Sequence, residues 1–256
     1  MIVETQAVVL KTLKYGDTSK IVTLYSRQYG KIKVVAKGAR NQKNNKFGSS
    51  LEPMTVSSVV IYKKEHKDLH LLSKSEIHTA LNRMQDDPER MFAGLALAEL
   101  VNMVMHDEEE NGPVFELLVE SLRVINASNR NGVNVLLSFM IKMFHQFGFG
   151  LNVEACIRCG RKMDASEFPY GLIRLSDGKF SCSFCSEEAQ QSGVRLTGGA
   201  LKSLRFFQSN PIERAVSVSL NAAMRDELLS VLQSYLRYHI EGVRTLRSLS
   251  LLQSMS

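Results

Sequence analysis

All four cysteines of the chain stand in two short pairs, Cys156-Ile157-Arg158-Cys159 and Cys182-Ser183-Phe184-Cys185, separated by the 22 residues 160–181. Each pair can turn two thiolates toward one point. Two pairs at this separation are the sequence form of a four-thiolate zinc site. Gly160 relieves the tight turn after the first pair, and Asp177-Gly178 marks a hairpin that carries the chain back to the second. Four thiolates leave no position for water, so the zinc would be structural. Residues 151–193 hold few long apolar runs and are too few to fold by burial alone. The spacing therefore predicts a zinc-binding four-cysteine insert over 151–193, with Cys156, Cys159, Cys182 and Cys185 as ligands to one Zn2+. Unligated core thiols and a redox pair are the competing readings. The redox reading lacks a helix after either pair to lower a thiol pKa.

The second constraint is charge. The first 80 residues hold 14 Lys and Arg against 6 Asp and Glu, a net of +8; the remaining 176 hold 18 against 20, a net of −2. Residues 18–51 carry Lys20, Arg27, Lys31, Lys33, Lys37, Arg40, Lys43 and Lys46 with no acid among them. Such a field repels itself and invites a polyanion. A solvated surface that only aids solubility is the bland alternative.

The chain changes period near residue 80. Before it, β-branched and aliphatic runs at 6–12, 20–25, 31–37, 54–63 and 69–75, punctuated by turn residues, predict five short strands of a small barrel or sandwich. In the third, Lys31, Lys33 and Lys37 fall on the outer face of the pleat. The polar stretch 38–50 reads as a long mobile loop, with Phe47 the best aromatic for stacking on a base. After residue 80 the apolar spacing is helical. Asp87-Pro88 opens a helix, and the second and third follow at about 115–125 and 133–147. Thr197 caps a fourth from 200 to 209, and a longer one spans about 222–240. The domains are expected at 1–80, at 81–150 with 194–256, and at 151–193.

Several classes drop out. The longest apolar stretch, residues 91–98, is far short of the ~20 residues of a membrane span. The start has no basic, then apolar, export signal, which points to the cytoplasm and to cysteines kept reduced. There is no phosphate-cradling G-x-x-x-x-G-K-[ST] and no G-x-S-x-G. His106-Asp107-Glu108 matches half of a zinc deaminase signature, but Ala155 stands where that signature has proline, and the second cysteine pair would have no role. His66, His70 and His78 read as exposed, and His145 and His239 as packing groups. No enzyme is expected.

The stretch Gly30-Lys31-Ile32-Lys33-Val34-Val35-Ala36-Lys37-Gly38-Ala39-Arg40, followed by Leu51-Glu52-Pro53, resembles the N-terminal signature of the RecO family of bacterial recombination mediators. The two cysteine pairs resemble that family's zinc segment, and the likeness runs through Arg247-Ser248-Leu249 near the end. The resemblance implies an α+β multidomain chain: an N-terminal OB-fold β-barrel, then an α-helical domain carrying a zinc-ribbon-like four-cysteine insert. It implies binding of single- and double-stranded DNA, annealing of complementary strands, and loading of RecA onto DNA coated by single-stranded DNA-binding protein. RecR and the C-terminal tail of that coating protein would be partners, with RecA engaged indirectly at the nucleoid. Lys31, Lys33, Lys37 and Arg40 become the DNA-contact candidates, joined by Lys43 and Lys46 of the same basic window. A protein-interaction scaffold with incidental DNA affinity is the alternative.

Overall fold

Strand β1 (Ile2–Tyr15) is long enough to pair with two partners. Its first half runs antiparallel to β4 (Val56–Tyr62), and its second half to β2 (Ser19–Ser26). A register shift between Val9 and Lys11 bends it from one partner to the other. Strand β3 (Gly30–Ala36) pairs with β2. It then makes a short parallel ladder, Lys33–Val35 on Leu69–Leu71, with β5 (Leu69–Thr79), which returns to β4. The sheet closes as β1-β2-β3-β5-β4, an OB-like barrel. Closure removes the free edges that a five-stranded sheet would otherwise expose. The computed structural model describes residues 1–41, 45–163, 168–185 and 193–253.

Alternation fills the barrel. Along β3, Ile32, Val34 and Ala36 are buried while Lys31, Lys33 and Val35 are only partly so. They meet Ala7, Val9, Val22, Leu24, Val59, Ile61 and Leu72 in one apolar cluster. Residues 45–55 plug the barrel. Phe47 is 4% exposed and belongs to that cluster with Leu51. The hydroxyl of Thr12 donates to the carbonyl of Leu51 at 2.7 Å, and that of Ser57 to the carbonyl of Ser50 at 2.8 Å. The expectation of a free loop with Phe47 as a stacking platform is therefore corrected. The polar composition of the segment concealed one ring placed to fill the barrel's end.

Helix α1 (Pro88–Val104) begins where Asp87 accepts a hydrogen bond from the Arg90 N–H. Helix α2 (Gly112–Ala127) follows, and Asn111 caps it through the Val114 N–H. Arg83 donates to the Ala127 carbonyl and takes the Asn126 side chain on its N–H, tying the last turn of α2 to the approach to α1.

By contact density the chain divides into two compact units, Met1–Ala127 with Leu246–Ser256, and Ser128–Thr245. In the second, helix α3 (Gly132–Gln146) is buried on nearly every side, as expected of a helix apolar all round. Strands β6 (Tyr170–Arg174), β7 (Phe180–Cys182) and β8 (Gly193–Thr197) form a three-stranded sheet in the order β7-β6-β8. Helix α4 (Gly198–Ser209) starts at the Thr197 cap, and α5 (Ala222–His239) at Asn221. Helix α6 (Arg247–Gln253) belongs to the first unit. Its leading N–H groups, from Arg247 and Ser248, donate to the Glu99 carboxylate of α1 at 2.9 and 3.0 Å. Among the described residues no helix is long and apolar enough to cross a membrane.

One glycine is required by close approach. Gly30 has φ of +59°, and a Cβ there would overlap the carbonyl group of Glu109. Gly30→Ala should destabilise the chain by about 1–3 kcal/mol, more than a simple left-handed penalty, because the 107–109 segment must move. A urea midpoint unchanged from wild type would contradict that close approach.

Candidate metal centre and nucleic-acid interface

The cysteine spacing folds as its geometry requires. The first pair turns at Gly160, φ +72°, with the Gly160 N–H donating to the Cys156 carbonyl at 2.9 Å. Beside it, Ile157 N–H donates to the Phe180 carbonyl, which fastens this turn to β7. The β6–β7 hairpin turns at Gly178, φ +66°, where a Cβ would stand 2.6 Å from the Tyr235 hydroxyl. The second pair ends β7 and continues into a single 3-10 turn, Ser183–Cys185.

All four sulfurs lie within 4.8 Å of one another. Cys159 and Cys182 Sγ are 3.8 Å apart. A tetrahedron with metal–sulfur bonds of ~2.3 Å has edges of about 3.8 Å, so the donors fit a metal ion. That separation is far beyond a disulfide bond. Burial opposes ionisation of Cys156, but N–H groups of Cys159, Cys182 and Arg158 turned on its sulfur outweigh it and bring its pKa down to about 6. The Cys182 N–H lies 3.3 Å from that sulfur. By contrast, hydrogen bonding with Cys159 and Cys182 pushes Cys185 up to about 12, and burial pushes Cys182 up. A thiolate is the form a metal takes.

The basic barrel face is less free than its sequence suggests. The connection between α1 and α2 lays residues 107–109 along β3. The Glu108 N–H donates to the Lys31 carbonyl at 2.9 Å. Asp107 then meets Lys31 Nζ at 3.3 Å and Lys33 Nζ at 2.9 Å. Glu108 meets Lys63 Nζ at 2.7 Å and His70 Nε2 at 3.1 Å. Two of the DNA-contact candidates therefore face an internal carboxylate. Lys20 likewise meets Glu52 at 3.0 Å. Lys37, Arg40 and Lys46 are exposed and, among the described residues, have no carboxylate partner. Arg40 donates to the Gly16 carbonyl, and the Lys46 ammonium lies 5.0 Å from the Phe47 ring centroid. Lys43 lies outside the described residues. Of the aromatic side chains among the basic residues, Tyr15 and Tyr62 are exposed, whereas Tyr25 is buried.

Two family models together match most of the chain. The family described as Recombination protein O N terminal matches residues 1–81, and Recombination protein O C terminal matches residues 85–249. The chain belongs to the RecO family. It is 30% identical over 251 residues to DNA repair protein RecO of Chloroherpeton thalassium, covering 97% of this chain and 96% of that one. The protein of the same name from Salinibacter ruber is 28% identical over 251 residues, with 98% and 93% covered. That from Chlorobium limicola is 27% identical over 259 residues, with 100% and 99% covered.

Two histidines of this RecO family member sit otherwise than the sequence suggests. His145 is exposed, and His70 has a side chain only 1% exposed. The Lys64 N–H donates to His70 Nδ1 at 3.2 Å, so the ring proton belongs on Nε2 and is donated to Glu108. His106 of the deaminase-like triplet is exposed, and its two acidic neighbours are held by the barrel cations. The sequence signal for this contact was the acid run 107–110 itself, whose charge is opposite to that of β3.

Burial opposes ionisation of Asp107, but hydrogen bonds and charge from Lys33 and Lys31 hold its carboxyl below the usual range. The hydrogen bond from Lys63 does most to lower Glu108, against burial and with help from His70. Depressed carboxylates stabilise the fold above their unfolded pKa, about 4, and lose that contribution as pH falls through the folded value. Asp107→Asn should therefore cost up to about 1 kcal/mol at pH 7, the scale of half-exposed pairs, and progressively less below about pH 4. Urea unfolding across that range checks the sign; a cost that grows on acidification would contradict it.

Proposed function

We propose that this chain is a DNA repair and homologous recombination mediator. It binds single- and double-stranded DNA on the barrel of residues 1–80, anneals complementary strands, and helps load RecA onto DNA coated by single-stranded DNA-binding protein. The observation that carries this reading is a closed OB-like barrel with exposed Lys37, Arg40 and Lys46, without a carboxylate partner among the described residues, in a chain matched by the RecO family over residues 1–81 and 85–249. RecR and the acidic tail of the coating protein are the protein partners we assign, with RecA reached through them, at the nucleoid.

The mechanism is electrostatic. Two anionic strands repel, and a cationic surface that holds both lowers that repulsion. Lys37, Arg40, Lys43 and Lys46 take phosphates directly. Lys31 and Lys33 contribute when phosphate exchanges with Asp107. The contacts read backbone and not base edges, so strands can slide into register. No bond is made or broken in this scheme.

The metal we assign is zinc, one per chain, held by Cys156, Cys159, Cys182 and Cys185. Its chemistry there is a cross-link between the two knuckles. Elemental analysis of natively purified protein should give about one zinc per chain. Cys156→Ser should lower the thermal midpoint of the whole chain, and a content below about 0.2 metal per chain would overturn the assignment.

The DNA reading is tested by salt titration with single-stranded oligonucleotides. Log affinity should fall with log salt by about 0.7 per phosphate neutralised. Charge reversal at Lys37, Arg40 and Lys46 should weaken binding and flatten the slope, while Asp107→Asn should tighten binding. Wild-type affinity and slope in the triple variant would sink the barrel interface.

A further inference from the structure

The β1–β2 hairpin carries exposed apolar side chains among cations. The Thr12 hydroxyl turns inward to the Leu51 carbonyl, so Lys11, Leu13 and Tyr15 stand on the opposite, outer face of the pleat. All three are exposed, Leu13 and Tyr15 at 50% each. The register carries this face across two more strands. Leu13 lies opposite Ile21, and Ile21 opposite Val35, both only half-buried. Lys11 lies opposite Thr23, and Thr23 opposite Lys33. An apolar row on three strands thus runs beside a row with a lysine at each end. At the hairpin tip, Tyr15 precedes Gly16, whose carbonyl accepts a hydrogen bond from Arg40 at 2.9 Å. A single exposed leucine calls for no use, but a contiguous row does.

Asp17 is the one acid within residues 11–23. Lys11 and Lys37 are exposed and have no carboxylate partner among the described residues, while Lys33 meets Asp107 and Lys20 meets Glu52. Residues 42–44, outside the described residues, are Gln, Lys and Asn and bring no acid. Among the described residues the Tyr15 ring contacts neither another ring nor a cation. The cations serve any phosphate chain. The apolar row and the open ring serve a chain whose bases are unpaired, because a duplex hides its base faces and presents phosphate alone. An acidic peptide satisfies the lysines but offers no stacked rings.

We infer that the outer face of the β1–β2 hairpin selects single-stranded over duplex DNA: an unpaired base stacks on Tyr15, its neighbour packs on the Leu13–Ile21–Val35 row, and Lys11 and Lys37 take the flanking phosphates. This rests on the DNA-binding reading above and deepens it. The cations assigned there hold both kinds of DNA, and this row distinguishes them. Stacking releases no counterions, so its loss lowers affinity without changing the salt slope, whereas loss of a cation changes both.

Tyr15→Ala in the full-length protein should weaken oligo(dT) binding about tenfold, the usual scale of one lost stacked base. It should leave the salt slope and the affinity for a duplex of equal length unchanged. Lys11→Gln should weaken both ligands and reduce the slope. The chain has no tryptophan, so Tyr15→Trp supplies a single indole, which oligo(dT) should quench in step with anisotropy of the labelled strand. Far-ultraviolet circular dichroism establishes that each variant is folded. Wild-type oligo(dT) affinity in Tyr15→Ala, or equal losses for single strand and duplex, would overturn the selective face and leave the cationic barrel interface standing. Quenching by an Asp/Glu-rich peptide but not by oligo(dT) would overturn it in favour of a protein partner. Absence of any oligo(dT) binding by the wild-type protein would remove both readings together.

Discussion

The contact between residues 107–109 and the barrel, chiefly strand β3, organises the first unit. It combines a backbone hydrogen bond from Glu108 to Lys31, four charged or polar pairs, and a glycine with no room for a side chain. Each pair is partly exposed and modest alone. Together they fix the turn between α1 and α2 on the barrel and use the β3 lysines as structural groups. Buried Tyr25 reinforces the join, its hydroxyl donating to the Asn111 carbonyl at 3.2 Å beside the Phe115 ring. A strand that reads as a phosphate surface thus also serves as the anchor of a helical pair.

The second unit solves a different problem with the same economy of means. Its three-stranded sheet is short, so it buries Phe168, Ile173, Phe180 and Leu196 and is packed on the helices through a single tight turn. Gly178 brings the β6–β7 hairpin against the Tyr235 hydroxyl, which donates to the Phe149 carbonyl at 2.9 Å. His239 stacks on Phe149 at 4.5 Å and engages the Leu175 carbonyl at 2.9 Å. The ribbon's far end is left to the cysteines.

Local signals carried much of this fold. Strand alternation, the Asp87 and Thr197 caps and the paired cysteines are each decided within a few residues, and each appears in the structure where the sequence places it. What escaped depends on distance along the chain. The partner of Lys33 is 74 residues away, and that of His70 is 38. Phe47 lay in polar company, so nothing near it announced the barrel end it fills. Strand β8 is only five residues long and pairs with β6, leaving too little periodicity to read. Helix α6 is decided by Glu99, on another helix far earlier in the chain.

That last contact bears on the order in which the protein can be made. The chain leaves the first unit after Ala127, completes Ser128–Thr245, and then returns to lay buried Leu246 and Leu249 with α6 against α1. The unit that is begun first is therefore finished last. On the ribosome the barrel and its two helices emerge well before α6, and must wait through more than a hundred further residues for their final helix. Meanwhile the intervening unit can fold as a closed excursion. Assembly is nested and not sequential, so loss of the last helix would be felt first in the unit at the opposite end of the chain.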